Sequence, residues 1–278
     1  MTACAPQTPS AGDASSHEAV PDWITPQWPV PAQVGALCTT RQGGASVAPW
    51  QGFNLGDHVG DDPQVVMRHR AQLQHRLGSR PVFMRQVHGQ AVVQLQPDTR
   101  DGVEADACIA LRPGLACTVM VADCLPILLS DRRGSFVAAL HAGWRGLCGA
   151  GSPEGVGVVE SAQRALQAAR IQLDEAVAWL GPCIGPTAFE VGNDVRVAFA
   201  RTQAGSDAFF TPMAHKDQKW LADLPGLARA RLQAAGIGTV VGNDGSAPWC
   251  TVLQPSRFFS HRRDGVSGRM AACVWLRA

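Results

Sequence analysis

The chain has 278 residues, 46% of them hydrophobic and 17% charged, and its formal net charge at pH 7 is +1. This composition is typical of a soluble globular protein, and the small net charge argues against nucleic acid as the main partner. No apolar run approaches the roughly 20 residues that a membrane-spanning helix needs, so we expect no membrane contact.

The nine cysteines are odd in number, and no two of them have the spacing of a zinc ribbon or a redox pair. We therefore expect free thiols in a reducing, cytoplasmic compartment. Residues 1–20 are rich in Ala, Ser, Pro and Thr, without the basic start and apolar core of a signal peptide, and are predicted to form a disordered tail. Residues 21–278 are predicted to form a single domain.

Strands and one helix follow in the first part of the chain. Strands are predicted over 34–40, 82–87 and 91–95 from their apolar and β-branched content. Between the first two, Asp62 and Pro63 are start signals for a helix that ends near Leu77, before Gly78.

The second part of the chain adds more strands than helices. The pattern predicts strands over 104–109, 115–122, 135–140, 176–180, 238–241 and 269–276, helices over 153–169, 194–202 and 224–235, and a surface loop over 205–219. Several neighbouring strands lack a helix between them, which favours an α/β domain with mixed sheets over a doubly wound parallel sheet.

Three residues that can ligate a metal are predicted to follow apolar strands. Cys124 ends the run over 115–122, His141 ends the run over 135–140, and His88 follows a third run upstream. The separations between them are too long for a zinc finger, so these side chains would meet only through the fold. Two His and one Cys predict a zinc site with an open fourth position.

The same residues leave other chemistry open. Cys124 can be a nucleophile with His88 or His141 as its base, and Asp123 can orient a His or hold a water. Copper can occupy a site of two His and one Cys. A laccase-type cluster of several coppers is not expected, because no two of the eight His are two residues apart.

Two arginines are candidates for anion binding. Arg145 lies in a glycine-flanked turn four residues after His141, and Arg41 lies beside two glycines after the first strand. A guanidinium bound only to strand-end carbonyls is the alternative for both. Arg262, Arg263 and Asp264 are predicted to form a structural ion-pair cluster.

Ordered motifs extend from about residue 23 to 276. They are TTRQGG (39–44), NLGDHVGDD (54–62), QVHG (86–89), ADCLPI (122–127), HAGWRG (141–146), GPCIGP (181–186), FEVG (189–192) and RRDG (262–265). Through them the chain resembles the YfiH/YlmD family, once called multicopper polyphenol oxidases or laccase-domain proteins.

The resemblance implies a fold and a set of site residues. The family fold is a single α/β domain with two mixed sheets flanked by helices. The positions matching His88, Cys124 and His141 bind zinc. For this chain we predict catalytic roles for Cys124, His141, Asp123 and Arg145, and substrate binding by Arg41, Asn54 and Arg145.

The resemblance also implies an activity. Family members are purine nucleoside phosphorylases, in which phosphate displaces the base of adenosine, inosine or methylthioadenosine. Adenosine deamination, a weaker copper-dependent phenol oxidation and, in some members, editing of peptidoglycan precursors are associated with them. We therefore expect a cytoplasmic zinc enzyme whose partners are a purine nucleoside and phosphate, with a Cys–His amidase, a copper-dependent phenol oxidase and a metal-storage protein as alternatives. The sequence leaves its oligomeric state open.

Overall fold

The computed structural model describes residues 22–278, and the tail predicted over 1–20 lies outside this range. The strands within it are β1 Val34–Cys38, β2 Arg80–Phe83, β3 Val92–Gln94, β4 Ala107–Ala110, β5 Leu115–Val121, β6 Leu125–Asp131, β7 Val137–Ala142, β8 Ala176–Leu180, β9 Glu190–Gly192, β10 Phe210–Pro212, β11 Lys219–Ala222, β12 Thr239–Gly242 and β13 Met270–Leu276. The α-helices are α1 Pro63–Leu77, α2 Trp144–Cys148, α3 Val158–Ala168, α4 Asn193–Thr202, α5 Leu224–Ala234 and α6 His261–Asp264. Short 3-10 helices cover Ser206–Phe209 and Ala247–Trp249.

Two mixed sheets form the centre of the fold, as predicted. One has the strand order β1-β13-β5-β2 and the other β12-β8-β6-β7-β4-β3. Each contains antiparallel pairs and at least one parallel pair, such as β2 with β5 and β8 with β12. A third, antiparallel sheet of order β10-β11-β9 is additional.

The fold has four layers, in the order α1, four-stranded sheet, six-stranded sheet, and the helices α3 and α5. Successive residues of β5 point to opposite faces of the four-stranded sheet. Met120 packs toward Leu73 of α1, whereas Val119 faces the six-stranded sheet. The other face of the six-stranded sheet is covered by α3 and α5, through residues such as Leu166 and Leu227.

Several predicted boundaries were wrong. No strand was predicted between residues 122 and 135, but Leu125 and Pro126 begin the central strand β6. The missing N–H of Pro126 is tolerated at the second residue of the strand, while its carbonyl accepts from Gly181 N–H at 3.0 Å. The predicted surface loop over 205–219 contains β10, because the buried Phe210 packs on Phe199.

Two other elements are shorter than predicted. The strand expected over 82–87 ends at Phe83, so the segment carrying His88 lies beyond β2. The helix expected over 153–169 begins at Val158, since Gly155 has a positive φ of 66° and Gly157 is extended.

Among the helices of residues 22–278, none combines the length and hydrophobicity that crossing a membrane requires.

Candidate metal centre and active site

His88, Cys124 and His141 come together at one end of the central strands β6 and β7 of the six-stranded sheet. Their potential ligand atoms all lie within 4.8 Å of one another. The rings of His88 and His141 meet edge to face, with centroids 4.8 Å apart. His141 is buried, Cys124 is half-buried and His88 is exposed, so the group can be reached from solvent on the His88 side.

Neighbouring strand ends position two of these residues. Cys124 immediately precedes β6, and His141 lies near the end of β7, which pairs antiparallel with β6. His141 is in register with Pro126, so the start of β6 lies beside the end of β7. His88 reaches the same place from a loop and has a positive φ of 60°, a conformation that is uncommon for a residue other than glycine.

Asp106 holds this arrangement together, and the sequence analysis missed its role. Its fully buried carboxylate accepts from Nδ1 of His141 at 2.8 Å and from the backbone N–H groups of Val87, His88 and Gly89 at 3.2, 2.9 and 2.7 Å. Burial would raise the pKa of Asp106, but the hydrogen bond and charge of His141 and these N–H groups lower it. The feature of the sequence that could have indicated this role is an acidic residue directly before an apolar run, which forms the buried strand β4.

The electrostatics of the centre favour a thiolate. Burial would raise the pKa of Cys124, but the charge of His141 and hydrogen bonds with His141 and His88 lower it to about 6. Burial would likewise lower the pKa of His141, but the Cys124 thiolate and the hydrogen bond to Asp106 raise it to about 9. Without metal, Cys124 and His141 therefore form a thiolate–imidazolium pair at neutral pH.

The space between these residues depends on Gly143. A Cβ atom built on Gly143 would lie 2.9 Å from Cys124 Sγ and 3.0 Å from His88 Cδ2. A larger residue would therefore displace both side chains. The donor set fits a thiophilic ion of zinc type, because thiolate and imidazole are its usual ligands and Asp106 supplies the carboxylate partner that metal-bound His residues commonly have.

A cavity of about 940 Å³ opens over the three residues. Five arginines line it, against three aspartates: Arg70, Arg85, Arg145, Arg262 and Arg269 against Asp57, Asp101 and Asp123. Ile184, Phe189 and Leu224 supply apolar lining. The cavity thus combines an excess of positive charge with an apolar wall, in a size range suited to a small organic ligand and an anion.

Asp123, for which a catalytic role was predicted, lies in the cavity wall with both carboxylate oxygens engaged. Oδ1 accepts from the Thr251 hydroxyl at 2.5 Å, and Oδ2 accepts from the backbone N–H of Arg262 at 2.6 Å. Its φ of 91° is strained for a non-glycine residue. Asp123 therefore fixes the start of α6 and the turn that leads into Cys124.

The three residues predicted to bind substrate are not brought together. Arg145 lines the cavity, exposed, with its guanidinium 4.4 Å above the Trp144 ring. Arg41 lies in a separate depression, where it donates to the carbonyls of Pro255 and Gln51. The guanidinium of Arg41 is thus bound to backbone carbonyls, as in the alternative to anion binding given above. Of the two arginines predicted to bind an anion, Arg145 is the one that lines the cavity.

Asn54 also lies outside the cavity lining. It is fully buried, and its amide donates to Gly56 O and Asp61 Oδ2 and accepts from the backbone N–H groups of Gly56 and Arg269. All the hydrogen-bonding groups of its side-chain amide are therefore used inside the protein. This position does not agree with direct substrate binding and gives Asn54 a positioning role instead.

A sequence model of the family described as "multi-copper polyphenol oxidoreductase laccase" matches residues 35–277. The purine nucleoside phosphorylase YfiH of Escherichia coli is 44% identical over 255 residues, which cover 91% of this chain and 98% of that protein. This chain belongs to the YfiH family.

Other YfiH-family proteins match as closely. The purine nucleoside phosphorylase PA4543 of Pseudomonas aeruginosa is 46% identical over 254 residues, covering 91% of this chain and 98% of that protein. The crystal structure of Neisseria meningitidis protein NMB0706 superposes with a TM-score of 0.83 at 42% identity, covering 92% of this chain and all of that one. The mixed-sheet α/β fold predicted from the family resemblance is confirmed.

Proposed function

We propose that this protein is a purine nucleoside phosphorylase. The observation that carries the proposal is the position of an arginine-lined cavity directly over His88, Cys124 and His141. The full-length relatives named purine nucleoside phosphorylase support it, since they align over nine-tenths of the chain.

The proposed reaction needs an anion and a nucleoside in one cavity. A phosphate oxygen forms the bond to C1′ of the ribose while the bond from C1′ to the purine nitrogen breaks. The bonding electrons pass to the purine, which receives the proton of hydrogen phosphate, and the products are free base and ribose 1-phosphate. Adenosine, inosine and methylthioadenosine are the proposed substrates.

The cavity can assist this displacement by orientation and charge. Arg145 can offset the phosphate charge as it approaches the sugar. Trp144 and Phe189, which also line the cavity, offer flat apolar surface for the purine. Exclusion of water around the base favours attack by phosphate over hydrolysis.

We further propose zinc as the metal held by His88, Cys124 and His141. When bound, zinc would supply a Lewis acid for a substrate group or water, and adenosine deamination is the side activity we assign to it. Asp106 would keep the His141 ring in place through Nδ1, leaving Nε2 for the metal. Cys124 would enter as thiolate, the state that its lowered pKa favours.

The test is phosphate dependence with purified, metal-analysed protein. Inosine should yield hypoxanthine and an equal amount of ribose 1-phosphate with phosphate present, and no ribose 1-phosphate without it. Deamination is followed separately, as conversion of adenosine to inosine without phosphate. Base release at the same rate with and without phosphate would refute phosphorolysis.

A second candidate function is a thiol hydrolase, such as an amidase acting on peptidoglycan precursors. The observation in its favour is the sequence of contacts from Cys124 to His141 to Asp106, which is the order of nucleophile, base and orienting carboxylate. Amide hydrolysis that survives complete metal removal and is lost on alkylation of Cys124 would favour this candidate.

A further inference from the structure

Arg269 is a half-buried cation in the cavity wall with no carboxylate partner in the part of the chain that the structure describes. It lies just before β13 and lines the same cavity as Cys124 and His141. Two other cavity arginines are neutralised, Arg70 by Asp57 and Arg85 by Glu104. Unlike these two arginines, Arg269 remains available to an anion that enters the cavity.

The guanidinium of Arg269 is fixed on one side and free on the other. Nη1 donates to the carbonyls of Ser267 and Gly268 at 2.8 and 3.1 Å. Nε and Nη2 donate to no group among residues 22–278, and neither is a buried nitrogen, so both are open to the cavity. Two adjacent free donors on a fixed plane match the geometry with which arginine binds phosphate oxygens.

The loop over 54–56 is built around Arg269. Oδ1 of Asn54 accepts from Arg269 N–H at 2.8 Å, and Leu55 N–H donates to Arg269 O at 3.1 Å. Gly56 leaves room for the side chain, because a Cβ atom there would lie 2.8 Å from Arg269 Cγ. The fully buried Asn54, with all its polar atoms engaged, therefore acts as a positioning residue for Arg269.

The two acidic groups nearest in charge effect to Arg269 are engaged with other residues. Burial lowers the pKa of Arg269, and Cys124 and Asp123 oppose this shift. The Asp123 carboxylate is already bound to Thr251 and Arg262, and the Cys124 thiolate interacts with His141. Neither group forms an ion pair with Arg269.

We propose that Arg269 binds the phosphate co-substrate through Nε and Nη2, with Asn54 and Gly56 holding it in place. This inference rests on the proposed phosphorylase function for the identity of the anion. The shared chemistry is a phosphate group, which can belong to inorganic phosphate or to a nucleoside monophosphate. The experiment therefore includes both.

Binding of inorganic phosphate, and separately of adenosine 5′-monophosphate, is measured by titration calorimetry on the full-length protein with its metal. Arg269→Gln should weaken phosphate binding by at least about tenfold, the effect of losing charge-assisted hydrogen bonds, and Arg269→Lys should be intermediate. The matched control is Arg229→Gln. Arg229 is also half-buried and bound only to backbone carbonyls, those of Val240 and Asn243, and it lies away from the cavity. The Arg229→Gln variant should bind phosphate with the same affinity as the unmodified protein.

Thermal unfolding and metal content show whether each variant is folded and loaded. Equal phosphate affinity of Arg269→Gln and the unmodified protein would overturn the inference, as would absence of phosphate binding by the unmodified protein. Arg269-dependent binding of the monophosphate alone would overturn the co-substrate assignment. Phosphate bound through Arg269 without phosphate-dependent inosine cleavage would refute the proposed function and leave the anion site standing.

Discussion

Asp106 and His141 are joined by a hydrogen bond of 2.8 Å, and the same carboxylate also accepts three backbone N–H groups from residues 87–89. One buried side chain therefore sets the orientation of His141 and the path of the loop that carries His88. The geometry of the candidate metal site therefore depends on a residue outside the group of three.

Asp106→Asn tests this dependence. An amide cannot accept from all four donors, so at least one donor loses its partner or faces the NH₂ group. We expect metal affinity to fall roughly 10- to 100-fold and the free energy of unfolding to fall by about 1–3 kcal/mol. Chelator competition and thermal denaturation measure these changes. Asp57→Asn, at an exposed position in the cavity lining, is the control, and equal metal affinity of the two variants would contradict the role of Asp106.

A comparison of two histidines tests the assignment of the metal ligands. His88 and His58 are both exposed and both line the cavity, but His88 alone of the two belongs to the group of three. His88→Ala should lose most of the bound metal during dialysis, whereas His58→Ala should retain it. Metal analysis after dialysis decides the point. Equal retention would refute His88 as a ligand.

The lowered pKa of Cys124 predicts its reactivity in metal-free protein. With a pKa of about 6, the thiolate predominates at pH 7, and the rate of alkylation by iodoacetamide should rise between pH 5 and 7 and then level off. An ordinary thiol, with a pKa near about 8.5, would still be gaining reactivity above pH 8. The rate is measured by mass spectrometry of the peptide containing Cys124.

Two controls accompany the alkylation experiment. His141→Gln removes the main group that lowers the pKa of Cys124, so its profile should move to higher pH. Restoring metal should protect the thiol. A profile of the unmodified, metal-free protein that keeps rising to pH 9 would be inconsistent with a thiolate–imidazolium pair.

Two ion pairs of unequal burial give a prediction for stability. Arg231 is 5% exposed and pairs with Glu160 at 2.7 Å, while Arg164 is 64% exposed and pairs with Glu154 at 3.6 Å. Arg231→Ala should lower the free energy of unfolding by about 2–3 kcal/mol, because the partly buried Glu160 carboxylate loses its counter-ion. Arg164→Ala should cost less than about 1 kcal/mol. Urea unfolding measures both, and equal effects would contradict the importance of burial.

The sequence predicted the metal-capable group because two of its members follow long apolar runs. Cys124 and His141 lie at ends of β6 and β7, and antiparallel pairing brings such ends together. His88 was found for a partly wrong reason, since its segment leaves the strand pattern after Phe83. Its position follows from the tether to Asp106, a long-range contact that no local pattern contains.

The residues of the proposed anion site were harder to predict. Arg41 and Asn54 belong to glycine-containing motifs, which a binding loop and a structural turn share. Only the tertiary contacts show that the side-chain amide of Asn54 has all its hydrogen bonds within the protein. One of them is accepted from the backbone N–H of Arg269, a residue 215 positions away. Arg269 itself precedes an ordinary apolar strand. Its half-buried position, and the lack of a carboxylate partner within residues 22–278, are properties of the fold that no local pattern indicates.

The measurement that tests the account most directly is ribose 1-phosphate formation from inosine by metal-loaded protein, compared between the unmodified chain and His141→Ala. We predict that formation of ribose 1-phosphate requires phosphate, matches hypoxanthine one to one, and falls by at least about a hundredfold in the folded variant. Unchanged formation in His141→Ala, or hypoxanthine release without ribose 1-phosphate, would contradict it.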